Sequence, residues 1–124
     1  MESYDPLETP VSEEWLALDE SEQQHLVETY HLESGEELPN LTLHASIHAA
    51  VENQLAMEIG AVRDALDRLL GDGLDRHEAI HAVGSVLAEH LYELMQSPSS
   101  ESGGEDSYYK ALERLTVASW RGAS

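Results

Sequence analysis

The chain has 124 residues, with six Lys or Arg against 25 Asp or Glu and a formal charge of -19. Residues 1–62 hold 14 acids and no Lys or Arg. A field of that sign repels phosphate, which argues against nucleic acid and anionic membranes as partners. There is no cysteine, so disulfides, thiolate metal sites and cysteine nucleophiles are excluded together.

This length corresponds to one domain, with room for a loose tail, and is enough to bury a core without staples. No apolar run approaches a membrane span, and the start, Met1-Glu2-Ser3-Tyr4-Asp5, is acidic. We therefore expect no signal peptide and a cytoplasmic protein. The acidic surface reads either as a face for a basic protein partner or as a solvated coat that aids solubility. The second is the commoner situation.

In chain order, residues 1–12 carry Pro6 and Pro10 among acids and read as an extended arm, pinned to the body by Tyr4 and Leu7. Ser12 is placed to cap a short helix over 13–18, with Trp15, Leu16 and Leu18 facing inward. Ser21-Glu22-Gln23-Gln24 fits a capping box for a second helix that runs to about Glu33 and stops near Gly35. Its apolar stripe is Leu26, Val27 and Tyr30. His25 and His31 also lie on it, read as surface or satisfied core residues outside any site. Residues 36–39 form a turn, and Asn40 is a good N-cap for a third helix from Leu41 to about Glu58. His44, Ile47, His48, Val51, Leu55 and Ile59 fall in one arc of its wheel, with Glu52 on the margin. Gly60 is placed to end or kink it.

A fourth helix over 61–70 turns Val62, Leu66, Leu69 and Leu70 inward and stops at Gly71-Asp72-Gly73. Asp75-Arg76-His77-Glu78 fits another capping box. It opens a fifth helix to about Met95 with the stripe Ile80, Val83, Leu87, Leu91 and Leu94. Gly84 and Ala88 share the side of His77 and His81. Residues 97–107 are low in complexity and read as a linker. A last helix, about 108–120, carries Tyr108, Leu112, Leu115 and Trp120, and needs a groove on its own chain or on a partner. No run alternates with period two. The expected fold is therefore all-α, a compact bundle of about five to six helices with the third to fifth forming the core. Its divisions are the arm 1–12, a helical domain 13–96, the linker 97–107 and a docking helix 108–124.

Four of the seven histidines stand one helical turn apart in pairs, His44-Ala-Ser-Ile-His48 and His77-Glu-Ala-Ile-His81. Both pairs sit within apolar patterns, where titratable groups are scarce. These segments, with Glu52-Asn-Gln-Leu-Ala56, Leu74-Asp-Arg-His77, Pro39-Asn40 and Trp15-Leu-Ala-Leu-Asp19, resemble a family of small bacterial proteins known only as a domain of unknown function. The resemblance covers most of the chain. It implies a compact helical domain and no assigned activity.

The residues themselves allow four readings. His77-Glu78-x-x-His81 matches the zinc-peptidase pattern, in which two imidazoles hold zinc and the glutamate is the base. Against it, His90 and Glu93 are poorly placed as a third ligand, no strand offers an edge for substrate, and Glu78 already has a role as a cap. A second reading is a metal site without proteolysis. It would use His44, His48, His77 and His81 with Glu52 as a carboxylate donor, a set that zinc, nickel or iron accepts. The first turn of the fifth helix disfavours a cation at His77, which counts against it. A third is a structural hydrogen-bond cluster of neutral imidazoles, the default for buried polar groups. The fourth is an anion pocket at the start of the fifth helix. The function class these support best is a small binding or accessory protein with a core histidine cluster able to take a metal. A small metallohydrolase, or an acidic interaction module with a purely structural cluster, is the alternative.

Overall fold

Helix starts are set by which side chain captures the first free backbone N–H groups, and this chain offers overlapping candidates. The computed structural model describes residues 1–35, 40–96 and 105–121. The turn expected at 36–39 and most of the linker expected at 97–107 lie outside the described residues. Among those described there are helices and no strand: α1 (Ser12–Leu16), α2 (Glu20–Glu33), α3 (Leu41–Ala56), α4 (Gly60–Gly71), α5 (Arg76–Gln96), α6 (Glu105–Arg114) and α7 (Val117–Trp120). The fold is all-α. The chain divides into two compact units, Met1–Ile59 and Gly60–Ser124.

In the first unit, α2 starts earlier than the Ser21 signal implied. Asp19 is the N-cap, and its carboxylate accepts from the Glu22 N–H at 2.8 Å. Two cap signals overlap here. The aspartate adds negative charge at the positive end of the helix, and Ser21 is left inside the first turn. Ser12 likewise lies within α1 rather than capping it; Val11 holds the N-cap position without a side-chain bond. Asn40 does cap α3, accepting from the Leu43 N–H at 3.0 Å. The end of α3 differs from expectation. The helix stops at Ala56, Glu58 takes the left-handed backbone (φ 59°), and Gly60, expected to end or kink α3, instead opens α4.

Helix α3 is the hub of this unit and packs against α1 and α2. Tyr4, Trp15, Val27, Ala45 and Ala49 form its core, bordered by Leu18, Leu26, Tyr30 and Ala56. Ala45 and Ala49 are one turn apart, so they let a neighbouring backbone approach closely. Complete burial of a side chain such as Val27 contributes about 1.5–3 kcal/mol. A polar seam joins the three helices. Trp15 Nε1 donates to Asn53 Oδ1 (2.9 Å), Gln23 and Asn53 exchange amide bonds (2.8 and 3.0 Å), and Gln23 donates to the Trp15 carbonyl (3.0 Å). Those bonds are why a buried Gln23 is tolerated. The arm is held by Tyr4, whereas Leu7 and Leu16 are exposed.

In the second unit α4 packs on α5 and α6, and α5 on α6. Val62, Leu66, Leu69, Ile80, Val83, Leu87, Tyr108 and Leu112 are buried, but Leu91 is exposed and Leu94 half-buried, so the stripe of α5 is fully buried only as far as Leu87. Asp75 caps α5 by accepting from the Glu78 N–H at 2.8 Å. The last helix is broken. α6 ends at Arg114, and Thr116 with Ser119 forms a capping box that starts α7. Arg68 Nη2 donates to the Leu112 and Leu115 carbonyls (2.7 and 3.0 Å), a basic side chain bonding the carbonyls at the end of α6. The C-terminal segment thus docks on its own chain.

Candidate functional site

One face of α3 carries His44, His48 and Glu52 at successive turns. His48 and Glu52 are each 2 % exposed, so Glu52 faces the interior rather than its margin. α2 crosses this face and contributes His31, which is wholly buried. The stripe that places it is Gln23, Val27 and His31, four residues apart. His31 Nδ1 lies 2.8 Å from the Val27 carbonyl. A carbonyl only accepts, so Nδ1 carries the proton, and in the neutral ring the lone pair is on Nε2. That Nε2 faces His44 Nε2 at 3.1 Å. The His31 ring stands edge-on to those of His44 and His48, with centroids 4.7 and 5.3 Å away. His31, His44 and His48 each bring one ring nitrogen within 4.8 Å of the others.

Tyr4 reaches the same face from the arm. Its hydroxyl lies 2.8 Å from His48 Nε2 and donates to Glu52 Oε2. A buried carboxylate needs donors. The Tyr4 phenol is one such donor for Glu52.

Of the residues singled out in the sequence, His44, His48 and Glu52 therefore stand together, joined by two that were not, His31 and Tyr4. His77 and His81 lie in the second unit, half-buried on the opening turns of α5, with ring centroids 4.2 Å apart. His25 is exposed. His31 has no histidine one turn away on its own helix, so the pair spacing gave no sign of it; its continuation of the Gln23–Val27 stripe was the available signal. Tyr4 was legible as an anchor of the arm, but nothing in the sequence tied it to the histidines.

The geometry bears on each chemistry. Two nitrogens bound about 2.0–2.1 Å from a tetrahedral zinc lie about 3.3–3.4 Å apart. The His31–His44 pair at 3.1 Å is close to that spacing. The same 3.1 Å suits an N–H···N bond between neutral rings, so the cluster also satisfies itself. For the peptidase pattern, Glu78 is exposed with its N–H held by Asp75, and His90 stacks on Tyr108 at 5.5 Å. For an anion pocket, the Asp75 carboxylate already occupies the start of α5. A hollow of about 150 Å³ beside α2 and α3 is lined by Gln23, Gln24, Ser46 and Asn53 among others, and no histidine borders it.

A family model described as a domain of unknown function (DUF1841) matches residues 10–114. The chain belongs to the DUF1841 family. The match spans α1 to α6 and takes in His31, His44, His48, Glu52, His77 and His81, whereas Tyr4 precedes it. The family description assigns no activity. Comparison with curated proteins and with solved structures gave no match.

Proposed function

We propose that the first unit is a metal-binding module of a small cytoplasmic accessory protein, with His31, His44 and His48 as nitrogen donors for a divalent transition metal. The carrying observation is that three buried or half-buried imidazoles bring a ring nitrogen each within 4.8 Å of one another. Three further facts support a cation there. His31 lies in the last turn of α2, where the helix dipole favours positive charge. Its Nδ1–H is held by a backbone carbonyl, the outer partner typical of metal-ligating histidine. The unit's own sequence is acidic, with no Lys or Arg. Nitrogen donors suit zinc, nickel and iron. Glu52 then acts through Tyr4, and His77 and His81 remain candidate donors carried by α5 of the second unit.

The second reading is a structural cluster, favoured by the bond that already joins His31 to His44. A thermal melt of tag-free protein with zinc, nickel or ferrous ion against chelator separates the two. A metal that binds only the folded state at 100 times its Kd adds about 2.7 kcal/mol and raises the midpoint. His44→Ala and His48→Ala abolish that rise. Identical midpoints with every ion mean that the cluster is structural. The peptidase alternative requires Glu78 for activity, and the exposure of Glu78 favours its role as a cap. The acidic surface is proposed as a face for a basic protein.

A further inference from the structure

We infer that Tyr4 is a positioning residue for the histidine centre: its phenol fixes which nitrogen of His48 carries the proton and so which one is offered to a metal. The inference rests on the metal reading above and deepens it. Tyr4 comes from the arm, 44 residues before His48 and 48 before Glu52. Its ring is clamped on three sides, by Trp15 at 5.5 Å, Tyr30 at 6.5 Å and His48 at 5.5 Å between centroids. The hydroxyl is thereby set between an imidazole and a carboxylate one turn apart on α3.

The protons in this chain follow from what each group can give. An ionised Glu52 only accepts, so the single phenolic proton goes to Glu52 Oε2. The phenol oxygen must then accept from His48, so Nε2 is the protonated nitrogen. In a neutral ring the lone pair is left on Nδ1. His31 has the mirror arrangement, Nδ1–H bound to Val27 and the lone pair on Nε2. Each ring is thus locked in one tautomer by an outer partner, a backbone carbonyl for His31 and the Tyr4–Glu52 couple for His48. Outer partners of this kind typically contribute about 10–100-fold to metal affinity.

The test compares wild type, Tyr4→Phe and Glu52→Gln in two measurements. Zinc affinity is read by competition with a chromophoric chelator. The His48 tautomer in metal-free protein is read from long-range ¹⁵N–¹H NMR correlations. Tyr4→Phe keeps the ring and its packing and removes only the hydroxyl, so zinc affinity should fall about 10–100-fold and the Nε2–H preference of His48 should disappear. Glu52→Gln allows an amide to donate to the phenol, which releases the proton order and should mix the two tautomers; it also stands in if Tyr4→Phe fails to fold. His48 protonated on Nδ1 in the wild type, or an unchanged tautomer in either variant, overturns the inference. So does unchanged zinc affinity in a folded Tyr4→Phe protein. A wild type that binds no zinc refutes the metal reading alone, because the NMR measurement still decides whether Tyr4 sets the tautomer.

Discussion

Replacing His31 with alanine should destabilise the protein by about 2–3 kcal/mol, more than any other change to a single histidine of α2. The ring is wholly buried and bounded by Tyr30, His44 and His48, with centroids 4.7–5.4 Å away. Truncation leaves a void comparable to that of a buried leucine, for which losses run from about 2 to 5 kcal/mol. The lower end applies for two reasons. The Val27 carbonyl keeps its place in the helical ladder, and His44, only half-buried, can replace its lost partner with water. The assay is urea unfolding at constant m. With m of roughly 1.5 kcal/mol/M the midpoint should drop by about 1–2 M. His25→Ala, exposed on the same helix, should stay within about 0.5 kcal/mol of wild type. A His31→Ala protein as stable as His25→Ala would refute the placement of His31 at the centre of the cluster.

Asp75→Ala should cost about 1 kcal/mol in thermal or urea unfolding, the usual loss for an N-cap that holds a backbone N–H; an unchanged midpoint would mean that α5 starts without it. Glu58→Gly should stabilise by about 0.5–1 kcal/mol, because a side chain in left-handed backbone is strained and glycine is not; a loss of stability would show that the glutamate side chain makes a compensating contact. If the acidic surface serves a basic protein, retention of that partner in pull-downs should weaken between about 0.05 and 0.5 M salt as the Debye length shortens. Retention unaffected by salt would put the contact on apolar residues instead.

The pattern of apolar residues located most helices to within a turn, because burial on one face imposes a period that a single chain segment displays. The departures came where two local solutions compete. Asp19 and Ser21 both fit a helix start, and the charged cap prevails. Gly60 reads as the end or kink of α3, yet the helix stops at Ala56, Glu58 takes the left-handed backbone and Gly60 begins α4. The break after Arg114 depends on Thr116 and Ser119 satisfying each other, a signal of only four residues. The candidate site was half legible. His44, His48 and Glu52 share one helix, so their spacing shows that they share a face. His31 and Tyr4 reach them across α2 and the arm, and helix crossings leave no period in the sequence. His31 is therefore part of the cluster, not a residue outside any site.

The central claim is that His31, His44 and His48 hold one metal ion. Equilibrium dialysis of tag-free protein against zinc, nickel or ferrous ion, with metal analysis of the retentate, tests it directly. The account predicts one ion per chain for the wild type at neutral pH, less at pH 5 where protons compete for the same lone pairs, and none at that site in His31→Ala, His44→Ala or His48→Ala. No retained metal at neutral pH, or one ion per chain kept by all three variants, would contradict it.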